Sequence, residues 1–360
     1  MAYTPIDDPS AHFQTALYTG TGSNQSITND GSSNLQPDWV WVKDRGATND
    51  HKLTDSSRLA NSKPSITLES NTNTAEYDDA DPMSTDSFDS DGFTIGTNGN
   101  YNTDGNTYVA WQWKANGGTT TTNDASSTGV GSIDSVYQAN TTAGFSIVTW
   151  TGTGSAATIA HGLGATPQVL IIKSRDNAHD WFVGHNSMHS TPWEKYQTLH
   201  SNGQIADDVI WNDTAPTSTV FSVGSYDSTN GNGVKFVGYC FRDIQGYSKF
   251  GSYTGNGNAD GPFVYTGFKP AFLIYKRTAS SGGDWVMIDN KTDTVNPCDE
   301  ELYANLNNAT GDVDLLDFTS NGFKLRRTHA SQNANDELYI YLAFAENPFV
   351  SSEGTPTTAR

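Results

Sequence analysis

Four histidines, His179, His185, His189 and His200, fall within one stretch of this 360-residue chain, and His185 and His189 stand four apart. On a helix that spacing would turn two imidazoles to one side, as a zinc site requires. No His-Glu-x-x-His sequence accompanies it, however, and the surrounding residues do not read as a helix. A second cluster is acidic: Asp78, Asp79, Asp81, Asp86, Asp89 and Asp91, ending Asp89-Ser90-Asp91-Gly92. Alternating carboxylates before a glycine suit Ca²⁺, a hard cation that takes oxygen ligands, but the bidentate Glu expected about six positions beyond the glycine is missing. Solvated turn acids are the expectation, with Ca²⁺ as the alternative. Cys240 lies in a strand-like run and Cys298 in a Pro-Cys-Asp loop; neither has an evident base partner, and both are expected as free thiols. No Gly-x-Ser-x-Gly elbow occurs, and pairs such as Gly152-Thr153-Gly154 open no helix, which argues against dinucleotide binding. With 40 carboxylates a glycosidase pair could be drawn anywhere. No catalytic residue, cofactor or metal ligand is assigned, and the chain is expected to be non-enzymatic.

Binding at a surface remains. Sugars are held by aromatic faces beside Asp, Asn and Gly loops, and this chain carries 9 Trp, 16 Tyr and 16 Phe among many such loops. The richest loop supplies Trp193, Tyr196, Trp211 and Asp213 as candidate glycan contacts. The alternative is that Trp193 and Trp211 pack on the flank of a sandwich. Trp181 and Trp285 recur at equivalent places and are expected in the core.

Ser, Thr, Asn and Gly make up two fifths of the chain, so helix formers are scarce, while the aromatics are too many for a disordered polar chain. Against 20 Lys and Arg stand 40 Asp and Glu, a net charge of −20, which repels phosphate and excludes nucleic-acid binding by charge neutralisation. The longest apolar run, Val169-Leu170-Ile171-Ile172, falls far short of the roughly 20 residues of a membrane helix. Residues Met1 to Ser10 show no basic and apolar signal sequence, so no membrane insertion or secretion signal is expected.

The elements that must position any site come in three copies. An aromatic followed by Thr-Gly-x-Gly occurs at Tyr18, Trp150 and Tyr253. A Pro-led strand ending in Lys follows: Pro37 to Lys43, Pro167 to Lys173, and Pro270 to Lys276. Then come Asp50-His51, Asp180-Trp181 and Asp284-Trp285, and a strand Phe at Phe93, Phe221 and Phe323. Each copy closes on a small residue beside aromatics, read as Ala110, Gly238 and Ala343. First Gly to Lys is 23, 21 and 21 residues, Lys to Phe 50, 48 and 47, and Phe to the small residue 17, 17 and 20. Recurrence in order at such spacing means duplication. The period within each copy is 2, never a sustained 3.6. Turn-rich punctuation, including Asn230-Gly231-Asn232-Gly233 as a hairpin, completes an all-β reading: three tandem antiparallel β-sandwiches of jelly-roll or lectin-like type. The repeats are placed at 1–114, 143–247 and 248–346, with a Gly/Thr/Ser-rich linker at 115–142, in which one short strand is read around Ser132 to Tyr137, and a tail at 347–360. Lys43, Lys173 and Lys276 are expected to form a salt bridge or a solvated strand end.

Several motifs resemble an uncharacterised family of virion proteins from tailed phages of marine and aquatic bacteria, cyanobacteria included. They are Ile6-Asp7-Asp8-Pro9 with His12-Phe13-Gln14-Thr15, Asn106 to Trp111 with Lys114 to Gly118, Ala139 to Phe145, Trp211-Asn212-Asp213-Thr214, and Tyr341 to Phe349. The resemblance spans nearly the whole chain, and Tyr341 to Phe349 is its most specific part. It implies a structural or tail-fibre protein with concanavalin-like sandwich domains and brings no catalytic residues. The expectation is therefore a virion protein, made in the host cytoplasm and exposed on the particle exterior. Its partners would be other tail or capsid proteins and host-surface polysaccharide, and a homo-oligomer, taken as a trimer, is expected. A tail appendage is the leading reading, a capsid decoration or cement protein the alternative, and a glycan-cleaving tailspike a third.

Overall fold

Alternation decides the architecture before any contact is considered. In the strand Trp39–Asp44 the side chains of Trp39, Trp41 and Lys43 point one way and those of Val40 and Val42 the other, so both faces of that strand must be covered. A computed structural model describes residues 3–78, 85–279 and 283–357 and shows how. Each repeat has an inner sheet of four antiparallel strands in matching order. In the first these are Phe13–Thr19, Thr107–Trp113, Trp39–Asp44 and Lys52–Asp55. The second uses Phe145–Thr151, Lys235–Phe241, Val169–Ser174 and Phe182–His185, and the third Ser248–Thr254, Leu338–Pro348, Phe268–Arg277 and Val286–Asp289. A smaller outer sheet covers one face of each. There Ile27 pairs with Phe93, Ile159 with Phe221 and Val264 with Phe323. Among the described residues every strand pairing is antiparallel, and the chain is an all-β protein of three sandwich repeats.

The other faces of the inner sheets meet in a single core. Trp39, Trp41, Trp111 and Trp113 from the first repeat share it with Phe145, Ile171, Tyr239 and Phe241 from the second and Phe272, Ile274, Leu342 and Phe344 from the third. Trp39 stacks on Tyr239 with ring centroids 4.3 Å apart, and Phe13 on Phe344 at 5.3 Å. The contacts run cyclically. His51 reaches the backbone oxygen of Tyr303, Trp181 donates to that of Glu69, and Trp285 to that of Thr198, each over 2.9 Å. So the first repeat holds the third, the second holds the first, and the third holds the second. Main-chain bonds repeat the cycle: Arg45 O accepts from Thr310 N, Arg175 O from Glu76 N, and Thr278 O from Ile205 N. Trp181 and Trp285 are buried in this core, as the sequence suggests.

Three details depart from the sequence reading. Strand register shows that Trp39, Val169 and Phe272 are equivalent and oppose Trp113, Phe241 and Phe344. The position of Ala110 and Gly238 therefore falls on Tyr341 in the third repeat, two residues before Ala343. The spacing from Phe323 to Tyr341 is 18 residues, in line with 17 in each of the other repeats. Tyr341 fits because it lies opposite Gly251, whose missing Cβ would stand 2.8 Å from the phenol oxygen. The segment 115–142, read as a linker with one short strand around Ser132 to Tyr137, carries two, Thr121–Asn123 and Ser135–Asn140, which extend the second repeat's inner sheet. Asn230-Gly231 is not a hairpin tip but the end of a short helix, Asp227–Asn230.

Candidate functional site

The predicted glycan patch sits on the outer layer of the second repeat, where packing consumes its tryptophans. The strand Phe182–His185 passes beneath, and a Cβ at Gly184 would come within 2.6 Å of Trp193 and 2.9 Å of Trp211. This glycine lets both indoles lie on the sheet. They meet edge to face at 5.7 Å, both buried, and Trp211 donates its indole N–H to Lys195 O at 3.0 Å. Trp193 and Trp211 thus follow the packing alternative and present no open ring for a sugar. Tyr196 is half-buried, edge to face with Phe182 at 5.1 Å, and burial raises its phenol pKa. Asp213 is exposed in a left-handed turn with Asn212. Exposed aromatic surface occurs elsewhere, in Phe263 and Tyr265 on the outer sheet of the third repeat.

Groups that could act as bases or nucleophiles are drawn into packing. Lys43, Lys173 and Lys276 sit fully buried at one end of the shared core, and among the described residues none forms an ion pair. Their Nζ atoms donate to main-chain oxygens instead: Lys43 to Asp44 and Ala47, Lys173 to Ser174 and Asn177, and Lys276 to Gly203 and Arg277. This replaces the expected salt bridge or solvated end. Burial lowers their pKa to about 8, 7 and 8, opposed by Asp50, Asp180 and Asp284 respectively among neighbouring carboxylates. His185 is buried against Tyr341 O and lowered by burial to about 4, whereas His189 bonds Thr191 and the Nε2 of His200, itself lowered by burial, lies 3.3 Å from Asp180. The histidines do not converge. Cys240 and Cys298 are free and buried, and burial pushes the Cys298 thiol up to about 12.

In the acidic stretch, Asp86 pairs with Lys63, Asp89 accepts from Ser87 and Thr94, and Asp91 caps Leu35 N. Asp79 and Asp81 lie outside the described residues. Among those described, no group of three His, Cys, Asp or Glu is placed to hold a metal ion, and no helix is long and apolar enough to cross a membrane.

Among the described residues, two open concavities are lined mostly by polar residues. A groove of about 580 Å³ in the second repeat has one wall built by the segment 115–142; Thr122, Ser135, Thr149 and Thr151 line it beside Arg175 and Lys235. A cleft of about 210 Å³ between the first and third repeats holds Asp8, Asp30 and Glu346, with Lys291 paired to Asp30 across it at 2.7 Å.

Sequence reasoning missed three asparagines. Asn102, Asn230 and Asn333, each buried at the end of a short helix, clamp the Thr-Gly-x-Gly turns. Their Oδ1 atoms accept from Thr21, Thr153 and Asn256, and their amides reach back to Ser23, Ser155 and Asn258. Gly20, Gly152 and Gly255 face the adjoining backbone so closely that a Cβ would lie 2.1–2.3 Å from a carbonyl oxygen. The recurring signature is thus a structural latch. In sequence these asparagines are lost among 31.

A family model described as Domain of unknown function (DUF7483) matches residues 8–348, which takes in all three repeats. The chain belongs to the DUF7483 family. No curated protein matches it. For a DUF7483 chain with this structure, the matched span takes in the shared core from Phe13 to Phe344, with only its Ile6 lying before the match.

Proposed function

We propose that this protein is a phage virion structural component exposed on the particle, a tail-appendage adhesin that contacts host-surface glycan without catalysis. The observation that carries the reading is the union of three repeats about one core, with outer layers furnished differently. The same sandwich bears a packed indole pair in the second repeat and open aromatics in the third. Such a body is a rigid mount for diverged surfaces. Burial of Cys240, Cys298, His51, His161 and His185 supports binding over chemistry. The motif resemblance supports a virion setting, and the charge of −20 suits an exposed, soluble particle protein.

The cyclic packing also favours a second reading, a capsid decoration or knob protein, because repeats closed around an axis do not extend end to end as a fibre would. Immunogold labelling of intact particles separates the two. Label confined to the tail is the expected result; uniform label over the head transfers the protein to the capsid, and no label on particles overturns both.

A further inference from the structure

We propose that the outward face of the strand Phe263–Tyr265 is a docking platform for an uncharged polysaccharide; this rests on the glycan-contact reading above and gives it a place on the molecule. The strand lies at the free end of its sheet. Val264 points into the outer core of the third repeat, while Phe263 and Tyr265 face solvent, 48% and 55% exposed.

The other two repeats serve as internal controls. Ile27, Ile159 and Val264 occupy one position, each opposite a buried Phe. Flanking them are Ser26 and Thr28 in the first repeat and Thr158 and Ala160 in the second. The fold is therefore satisfied by small or hydroxyl side chains there, and two exposed aromatics answer to something outside it.

Local geometry suits stacking. A Cβ on Gly322 would stand 3.1 Å from Phe263 Cζ, so the glycine makes room for the tip of a ring that stays half exposed. Tyr3 donates its hydroxyl proton to Gly267 O at 2.9 Å, so in the 3.0 Å contact between Tyr3 and Tyr265 the proton comes from Tyr265. The Tyr265 oxygen keeps a lone pair for an incoming hydroxyl. Lys324, opposite Phe263, is paired with Asp260, and Arg326 with Asp317, so the margin offers donors and acceptors without surplus positive charge. On a chain of net charge −20 such a margin does not draw in a polyanion. Aromatic faces with neutral hydrogen-bonding edges match the apolar faces and hydroxyl rims of neutral sugar rings.

The test is affinity electrophoresis of the full chain in gels containing dextran, mannan, galactan or xylan, with alginate as the polyanion. The double variant Phe263→Ser/Tyr265→Thr installs the first repeat's residues and so is built to fold; its circular dichroism and melting temperature are measured alongside, with Tyr265→Thr as the milder variant. Retardation of wild type by at least one neutral glycan, weakened tenfold or more in the double variant and partly in the single one, is expected. Equal retardation of wild type and variants overturns this inference and leaves the adhesin reading standing. Wild-type retardation by alginate alone, or by no glycan, overturns the inference too; failure to bind host envelope polysaccharide as well removes the adhesin reading with it. A wild-type dimer that the double variant splits, with glycan binding unchanged, makes the strand a protein interface instead.

Discussion

The indole nitrogen of Trp181 lies 2.9 Å from the backbone oxygen of Glu69, a bond by which the second repeat holds the first. Because equivalent bonds close the circle, no repeat has a complete inner face of its own. Thermal unfolding followed by near-ultraviolet and far-ultraviolet circular dichroism should give one coincident transition. Trp181→Phe, which leaves Glu69 O without its donor, should lower stability by about 1–3 kcal/mol while keeping that single transition. Separate transitions for separate repeats would refute the shared-core account.

The buried lysines make stability depend on pH in an uncommon direction. Their folded pKa values, about 7 to 8, lie below the unfolded value of 10.5. As pH falls from 10.5 towards 8 the unfolded chain gains protons that the folded chain does not, so these groups subtract stability. Below about 7 both states are protonated and the loss is constant. Nζ resonances of Lys43, Lys173 and Lys276 should titrate with midpoints of about 7 to 8, and the urea midpoint of unfolding should rise from pH 7.5 to 9.5. Midpoints above 10 for all three would contradict their burial.

Gly251 and Tyr341 should behave as a coupled pair. Gly251→Val places a side chain against the phenol and should destabilise by about 1–3 kcal/mol. Adding Tyr341→Gly recreates the Val148–Gly238 pair of the second repeat and should recover about 1 kcal/mol or more in a double-mutant cycle. Strict additivity would mean the two do not touch.

Trp211→Ala should cost about 3–5 kcal/mol, as expected for emptying a buried indole site. Chemical denaturation reads this directly. A change below about 1 kcal/mol would return Trp211 to the surface as a ligand contact.

Strand-rich architecture and threefold duplication were legible because alternation and turn residues are local signals, visible in runs such as Val169 to Lys173. How the repeats meet was not. Trp39 reads the same whether its partner is a strand of its own sandwich or Tyr239 across the molecule, since hydrophobic pattern reports burial and not the burying surface. The same ambiguity made Trp193 and Trp211 candidates for an exposed site. What would have demoted them is Gly184, whose absent side chain makes their room, but one glycine among 34 announces nothing until the strands are placed. Phe263 and Tyr265 could have been found by laying the three copies over one another and asking where chemistry departs from Ser and Thr. The Lys ends were visible too, but their carbonyl partners come from loops that no periodicity describes.

The bond from His51 to Tyr303 spans 252 residues of sequence. A ribosome adding roughly 10 residues per second leaves the first repeat waiting about half a minute for its partner to emerge. Throughout that interval Trp111 and Trp113 lack Phe272, the third-repeat residue on which both pack. Synthesis of this protein therefore includes a long period with an uncovered tryptophan face on the nascent chain, during which chaperone capture and premature aggregation compete, and final closure must await the strand Leu338–Pro348.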